Sequence, residues 1–314
     1  MKILVFGGTG FLGKNLVERL LADGHEVGMY VRSKALKTVF LQQNQTKVKV
    51  HIGDFQNERC FETVVSGYEV VYHLISSTVP GIINPLQDIE TTIKPSIRLL
   101  EACSVENIQR VIFFSSGGTV YGVPQNIPLT EEDIGQPISA YGIQKQALER
   151  YMLFYQYVFG LPVTILRIAN PYGRYQRPFS KQGLIANLLG NYLSGNPVEI
   201  WGDGEVVRDY IYVDDVIEAA VKVLAYKGSE SVFNIGSGYG SSVNDIIMVL
   251  DEVLKDNLQI KRYPGRRVDV PVNVLDIKRA QQELSWHPQV SLKDGLQKML
   301  TFWNEGEKSF DGKG

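Results

Sequence analysis

At 314 residues the chain has room for one large or two modest domains around a substantial core, and 44% apolar and 21% charged content is ordinary for a soluble globular protein. A formal net charge of -2 offers no basic field for nucleic acid and no polybasic patch for a membrane surface, so the expected partner is a small soluble molecule. No run approaches the roughly 20 apolar residues that cross a bilayer, and two isolated cysteines (Cys60 and Cys103) without a CxxC motif point to a reduced, cytoplasmic setting with both thiols buried in helices.

The chain opens on KILVFGGTGFLG, residues 2–13. Ile3 to Phe6 is a short apolar run of the kind that forms a strand buried on both faces of a parallel sheet. Gly7 would turn the chain sharply, Gly10 would let backbone approach a ligand, and Gly13 would let the next helix pack tightly on the strand. From Phe11 to Ala22 the apolar residues recur at helical spacing, and the amides and positive dipole end of such a helix suit a pyrophosphate. The stretch therefore reads as a dinucleotide site built from Gly7, Gly10, Phe11, Leu12 and Gly13.

A second strand, Glu26 to Val31, ends at Arg32-Ser33-Lys34. An acid there would bond the adenosine ribose of NAD, whereas a base tolerates the 2′-phosphate of NADP. Arg32 thus leaves NADP open beside NAD, unless Arg32 and Lys34 are only solvated loop charges. Val48 to Ile52 forms a third strand followed by Asp54, placed to reach an adenine amine, and Phe55, placed to cover its ring. Glu58 to Ser66 reads as helix, and Val70 to Leu74 as a fourth strand whose last residue, Leu74, falls at the cofactor. Pro85 to Glu106 is a long helical pattern in which Pro95 implies a kink or a late start. Gln109 to Ser115 is a fifth strand. This alternation specifies an α/β fold with a doubly wound parallel Rossmann sheet that holds its ligand beyond the carboxyl ends of the strands.

The chemistry should lie past the fifth strand, where Ser116-Gly117-Gly118-Thr119-Val120-Tyr121-Gly122 combines hydroxyls with enough glycine to admit a cofactor ring. Further on, Tyr141 and Lys145 are four apart and share a helix face. A neighbouring ammonium favours a phenolate, which would make Tyr141 an acid/base at neutral pH, with Lys145 tuning it and holding a ribose hydroxyl. The four histidines are scattered and offer no metal-ligand spacing.

The motifs GGTGFLG, SSGGTVYG, YGIQK, LRIANPYG, VVRDYIYVDDV and GRRVDVP together resemble the extended short-chain dehydrogenase/reductase family, specifically its nucleotide-sugar epimerases and dehydratases, from Lys2 to about Trp303. The resemblance implies that Tyr141 and Lys145 are the catalytic pair. It also implies that Asn170, Arg208, Arg266 and Asp269 hold the diphosphate and nucleoside ribose of the substrate, and that Gln182 and Gly183 lie near the base. Guanidinium forks suit phosphate oxygens. The family's usual catalytic Ser or Thr is Gly117 here, so Ser116 or Thr119 must supply that hydroxyl, with Thr119 preferred. Asn273 stands where galactose-type epimerases carry a bulky tyrosine. It would leave room for an N-acetyl group, or else satisfy a loop backbone.

After Asn170 the βαβ rhythm loosens. The sequence divides into a dinucleotide-binding domain (1–169, with returning segments in 209–235), a smaller substrate domain (170–208 and 236–304) and a frayed tail (305–314). The resemblance implies a homodimer through the Pro95–Glu106 and Tyr141–Phe159 helices, the second carrying an apolar stripe of Leu148, Tyr151, Met152, Tyr155 and Phe159. The expected activity is 4-epimerisation of a UDP-hexose or UDP-N-acetylhexosamine with NAD. The alternative is an NADPH-dependent 4-keto-6-deoxy nucleotide-sugar reductase.

Overall fold

The computed structural model describes residues 1–44, 46–76, 84–179, 182–264 and 270–306. Its first half alternates strand and helix: β1 (Lys2–Phe6), α1 (Phe11–Ala22), β2 (Glu26–Val31), α2 (Val39–Asn44), β3 (Val48–Ile52), α3 (Phe61–Val65), β4 (Val70–His73), α4 (Pro85–Asp88), α5 (Lys94–Val105), β5 (Arg110–Ser116), α6 (Ala140–Phe159) and β6 (Val163–Ile168). The second half adds β7 (Asn170–Tyr172), α7 (Leu184–Leu193), β8 (Val198–Trp201), β9 (Val207–Tyr212), α8 (Val213–Lys222), β10 (Val232–Ile235), β11 (Gly240–Ser242), α9 (Val243–Leu254), β12 (Ile260–Tyr263), β13 (Val272–Asn273), α10 (Lys278–Leu284) and α11 (Leu292–Gly306).

Seven of these strands make one parallel sheet in the order β10-β6-β5-β4-β1-β2-β3. The order reverses direction at β1, so a crevice opens where the carboxyl ends of β1 and β4 part, the place where doubly wound sheets bind ligands. Alternate residues along each central strand enter opposite cores. Ile3, Val5, Ile112 and Phe114 pack on the face covered by α1 and α8, while Leu4, Phe6, Val111 and Phe113 pack on the face covered by α5 and α6. This two-sided burial is why the strands read as unbroken apolar runs.

The glycine loop adopts the geometry its sequence implies. Gly7 has a φ of +89°, and a Cβ on Gly13 would stand 2.2 Å from the Gly7 carbonyl oxygen, so the helix can seat this closely only with glycine there. Pro95 does not end its helix. The turn Ile89–Ile93 widens to a π-helical turn between α4 and α5, which accommodates a ring that cannot donate to, and would collide with, the carbonyl four residues earlier. The helix expected over 58–66 is confined to α3. Cys103 is buried as expected, but Cys60, just before α3, is exposed.

The segment 209–235 is divided between two layers. α8 and β10 lie on and in the central sheet, with the Tyr72 hydroxyl donating to the Ala220 carbonyl at 2.8 Å. β9 instead pairs with β7, β11 and β13 in a small second sheet, and β8 pairs with β12. Asp209, fully buried in β9, accepts from the Ser237 amide and hydroxyl at 2.7 Å each and from the Gly238 amide at 3.2 Å, tying this sheet to the end of β10. The α6 stripe is likewise divided: Leu148, Met152 and Tyr155 are buried in the core, whereas Tyr151 and Phe159 face outward. Among the described residues no helix is long and apolar enough to cross a membrane.

Candidate active site

Two cavities lie end to end along the carboxyl edge of the central sheet. One, of about 420 Å³, runs from the glycine loop past the ends of β2 and β3, and its walls include Arg32, Asp54 and Phe55. The other, of about 250 Å³, runs from the same loop to the end of β5 and includes Phe11, Leu12, Gly13, Ser116, Tyr141 and Lys145. Gly7, Gly10, Leu74 and Ser76 border both. Every residue expected from the sequence to meet a dinucleotide therefore borders a groove made of these two adjoining cavities, with Arg32, Asp54 and Phe55 at one end and Tyr141 and Lys145 at the other.

The start of α6 sets the reactive end. Ser139 caps the helix by accepting the Gly142 amide at 3.1 Å, and Gly142 lets the first turn press on the 116–122 loop, since a Cβ there would meet the Thr119 carbonyl oxygen at 2.7 Å. This seats Tyr141 over the end of β5, where its hydroxyl hydrogen-bonds with Ser116 and Ser76. Lys145, one turn on and 3% exposed, donates to the Phe114 carbonyl at 2.9 Å and sits 5.7 Å from the centre of the Tyr141 ring.

The electrostatics differ from expectation. Burial pushes the Tyr141 phenol up to about 12, only partly offset by hydrogen bonds from Ser116 and Ser76. Burial also lowers Lys145 to about 8, with the Glu149 carboxylate acting in the opposite direction. The lysine does not depress the tyrosine in the protein alone, because both groups lie where charge is poorly solvated and the ammonium is turned to the Phe114 carbonyl.

The two candidate hydroxyls separate. Ser116 borders the reactive cavity, whereas Thr119 does not, and the Thr119 hydroxyl is buried without a partner. Of the two, Ser116 is therefore the hydroxyl placed beside Tyr141 and Lys145. Ser76 was missed as a site residue. Its signal was its place two residues past Leu74 at the carboxyl end of β4, where sheet residues meet the ligand.

On the other side of the groove, the small sheet gathers three expected substrate contacts. Asn170 pairs across from Tyr210, and Asn273 from Arg208. The Asn170 amide donates to the Asp209 carbonyl at 3.0 Å, and its Oδ1 lies 3.6 Å from where a Cβ of Gly118 would stand, against the catalytic loop. Arg208 is half-buried and donates to the Val207 and Val270 carbonyls at 2.9 and 2.6 Å. Asn273 is buried and donates to the Gly117 carbonyl at 3.2 Å, so its amide meets a loop backbone, while its Oδ1 has no partner. Gly183, with a φ of +95°, starts α7, and Gln182 beside it is exposed. Arg266 and Asp269 lie outside the described residues.

Gly117 also has a physical reason. A Cβ there would come within 2.6 Å of Leu275 Cδ1 and 3.0 Å of the Arg167 carbonyl oxygen. Leu275, fully buried, occupies the space a side chain would need.

Comparison with known proteins agrees with this geometry. The model of the NAD dependent epimerase/dehydratase family matches residues 3–236. The chain belongs to that family. This epimerase/dehydratase is 33% identical to a UDP-glucose 4-epimerase of Mycolicibacterium smegmatis, over 96% of this chain and 98% of the relative. It is also 32% identical to a dTDP-4-dehydro-6-deoxyglucose reductase of Escherichia coli, over 95% of this chain and 96% of that one. Among solved structures, a UDP-glucose 4-epimerase of Thermotoga maritima with UDP-glucose superimposes with a TM-score of 0.89 at 34% identity, covering 97% of this chain and 99% of the other. The chain is an NAD-dependent enzyme of the epimerase class, and the family match spans all seven strands of the central sheet.

Proposed function

We propose that this enzyme is a nucleotide-sugar 4-epimerase acting on a UDP-hexose or UDP-N-acetylhexosamine. The observation that carries the reading is the single groove with Arg32, Asp54 and Phe55 at one end and Tyr141, Ser116 and Lys145 at the other. The groove fits a dinucleotide: a left-handed Gly7 and a closely packed Gly13 leave backbone amides and the start of α1 for the pyrophosphate, and Phe55 is placed to cover the adenine. A bound oxidised nicotinamide at the reactive end would accept and return the sugar's C4 hydride and add a positive charge beside Tyr141. Tyr141, once ionised beside the Lys145 ammonium, would take the 4-hydroxyl proton as a phenolate, directly or through Ser116, and as the phenol so formed would later give it back. Asn170 and Arg208 hold the diphosphate, Arg266 and Asp269 hold the diphosphate and the nucleoside ribose between them, and Gln182 and Gly183 approach the base. Asn273 sets the space beside the sugar, with its unpartnered Oδ1 available to an N-acetyl group.

The test is to denature the purified protein, identify any released dinucleotide, and incubate fresh enzyme with UDP-glucose and UDP-N-acetylglucosamine without added cofactor. Release of NAD with formation of either 4-epimer supports the reading, and Tyr141→Phe should keep the dinucleotide while losing activity. An empty protein, inert to both sugars, contradicts it.

One observation favours a second reading. Arg32 borders the adenosine end of the groove, a position suited to the 2′-phosphate of NADPH, and one relative is named a 4-keto sugar reductase. Tighter binding of NADPH than NADH, lost in Arg32→Asp, would support that reductase.

The molecule is also read as a homodimer. Ile143, Tyr151, Phe154 and Val158 form one exposed apolar face of α6, a patch that a second copy would cover.

A further inference from the structure

Three consecutive residues of β5 each hold one residue of α6. Ser116 bonds Tyr141, the Phe114 carbonyl accepts Lys145, and the Ser115 hydroxyl donates to Glu149. Tyr141, Lys145 and Glu149 are spaced by four and share a helix face. The first two are assigned roles above, whereas Glu149 is not. It is 2% exposed and pairs with Arg167 of β6 at 2.8 Å, and Arg167 also donates to the Tyr121 hydroxyl at 2.9 Å. Tyr121 in turn donates to Asn234 of β10 at 2.6 Å, and Asn234 donates to the Leu129 and Asp276 carbonyls at 2.9 and 3.1 Å. A buried carboxylate with this many partners links the catalytic helix, three sheet strands and the segment that carries Leu275.

We propose that Glu149 is a positioning residue that fixes the register of α6 on β5 and supplies the counter-charge for the buried Lys145 ammonium. The groups facing Lys145 support this assignment. From α6 they are Tyr141, a neutral phenol in the protein alone, and Glu149. From β5 they are the Phe113 ring, 4.7 Å away, and the Phe114 carbonyl. From β4 comes His73, which burial holds neutral and which bonds Ser96 at 2.8 Å. Among the described residues Glu149 is the one anion in the set, and Arg167 beyond it limits how much of its charge Lys145 feels.

The role of Lys145 rests on the function proposed above, so the test reads the lysine without any sugar. Competitive acetylation of the full-length protein, with Lys145 followed by mass spectrometry across pH 6–11, gives the midpoint of its deprotonation. Glu149→Gln keeps one oxygen to accept from Ser115 and Arg167 Nε, replaces the oxygen that accepts from Arg167 Nη2 by an amide nitrogen and removes the charge, and the midpoint should fall by about one pH unit. Glu149→Asp should restore most of it. Ser115→Ala removes the β5 anchor and leaves the charge, so the midpoint should stay in place. An unmoved midpoint in Glu149→Gln, or an equal fall in Ser115→Ala, overturns the proposal. Should Glu149→Gln not fold, Arg167→Gln tests the same charge in the other direction: the midpoint should rise, and no rise is a contradiction. A wild type inert toward every UDP-sugar would sink the functional reading and leave this measurement intact.

Discussion

The resemblance leads one to expect a hydroxyl residue at Gly117, and the structure shows one neighbour that excludes a side chain there. A Cβ at position 117 would lie 2.6 Å from Leu275 Cδ1, 3.2 Å from Cδ2 and 3.0 Å from the Arg167 carbonyl oxygen. The nearest contact is about 0.8 Å inside ordinary van der Waals distance. Leu275 is fully buried and the carbonyl belongs to β6, so either must displace packed atoms to move aside. Gly117→Ser should therefore destabilise by about 1–3 kcal/mol through overpacking. Leu275→Ala alone should cost about 2–5 kcal/mol through the cavity it leaves. In the double variant the serine occupies part of that cavity, and the two penalties should fall short of their sum by about 1–3 kcal/mol. Guanidinium unfolding of the four proteins at one saturating NAD concentration measures this directly, since bound ligand shifts apparent stability. Additivity within about 0.5 kcal/mol would refute the explanation of Gly117.

Ser116→Ala should lower kcat by about 10²-fold or more with little change in cofactor binding, while Thr119→Ala leaves kcat within a few-fold; steady-state kinetics beside dinucleotide retention distinguishes them, and the reverse order would return the role to Thr119. Lys145, lowered to about 8 by burial, binds its proton less tightly folded than unfolded. Its charged form therefore opposes folding below about pH 8, and that penalty fades as pH rises toward the unfolded value. Lys145→Met should accordingly be more stable than wild type at pH 7, by an amount that shrinks by pH 10, in paired denaturation curves; a constant gap contradicts this. Phe154→Glu on the exposed face of α6 should yield monomers by sedimentation, and an unchanged species would remove this face as the dimer contact.

The central sheet was legible because strands buried on both faces must be apolar runs, as β1, β4 and the middle of β5 are, while the edge strand β3, VKVHI, showed itself by its β-branched residues. The glycine spacing was legible for a similarly local reason: Gly7 and Gly13 answer to a backbone turn and a helix contact a few residues away. The small sheet was not. β7 and β11 are three residues each with no apolar run, and VRDYIY of β9 reads as well for a strand of the central sheet as for the partly buried strand of the small sheet that it forms. Tyr141 and Lys145 could be paired from helical spacing alone. The identity of their hydroxyl partner depended on which way a glycine-containing loop turns, and residue types at 116–119 do not specify that. The direction of the Tyr141 shift depended on burial, which no spacing encodes. Asn273 shows the same limit, since the Gly117 carbonyl it meets is 156 residues away in sequence.

The central claim is that hydride leaves and returns to the same sugar carbon inside one closed site, with Tyr141 moving only the hydroxyl proton. Epimerisation of UDP-glucose or UDP-N-acetylglucosamine in deuterium oxide, with the product analysed by proton NMR, tests it most directly. Protium retained at C4 of the epimer is the expected result. Deuterium at C4 would mean that the carbon exchanges its hydrogen with solvent, and would contradict the account.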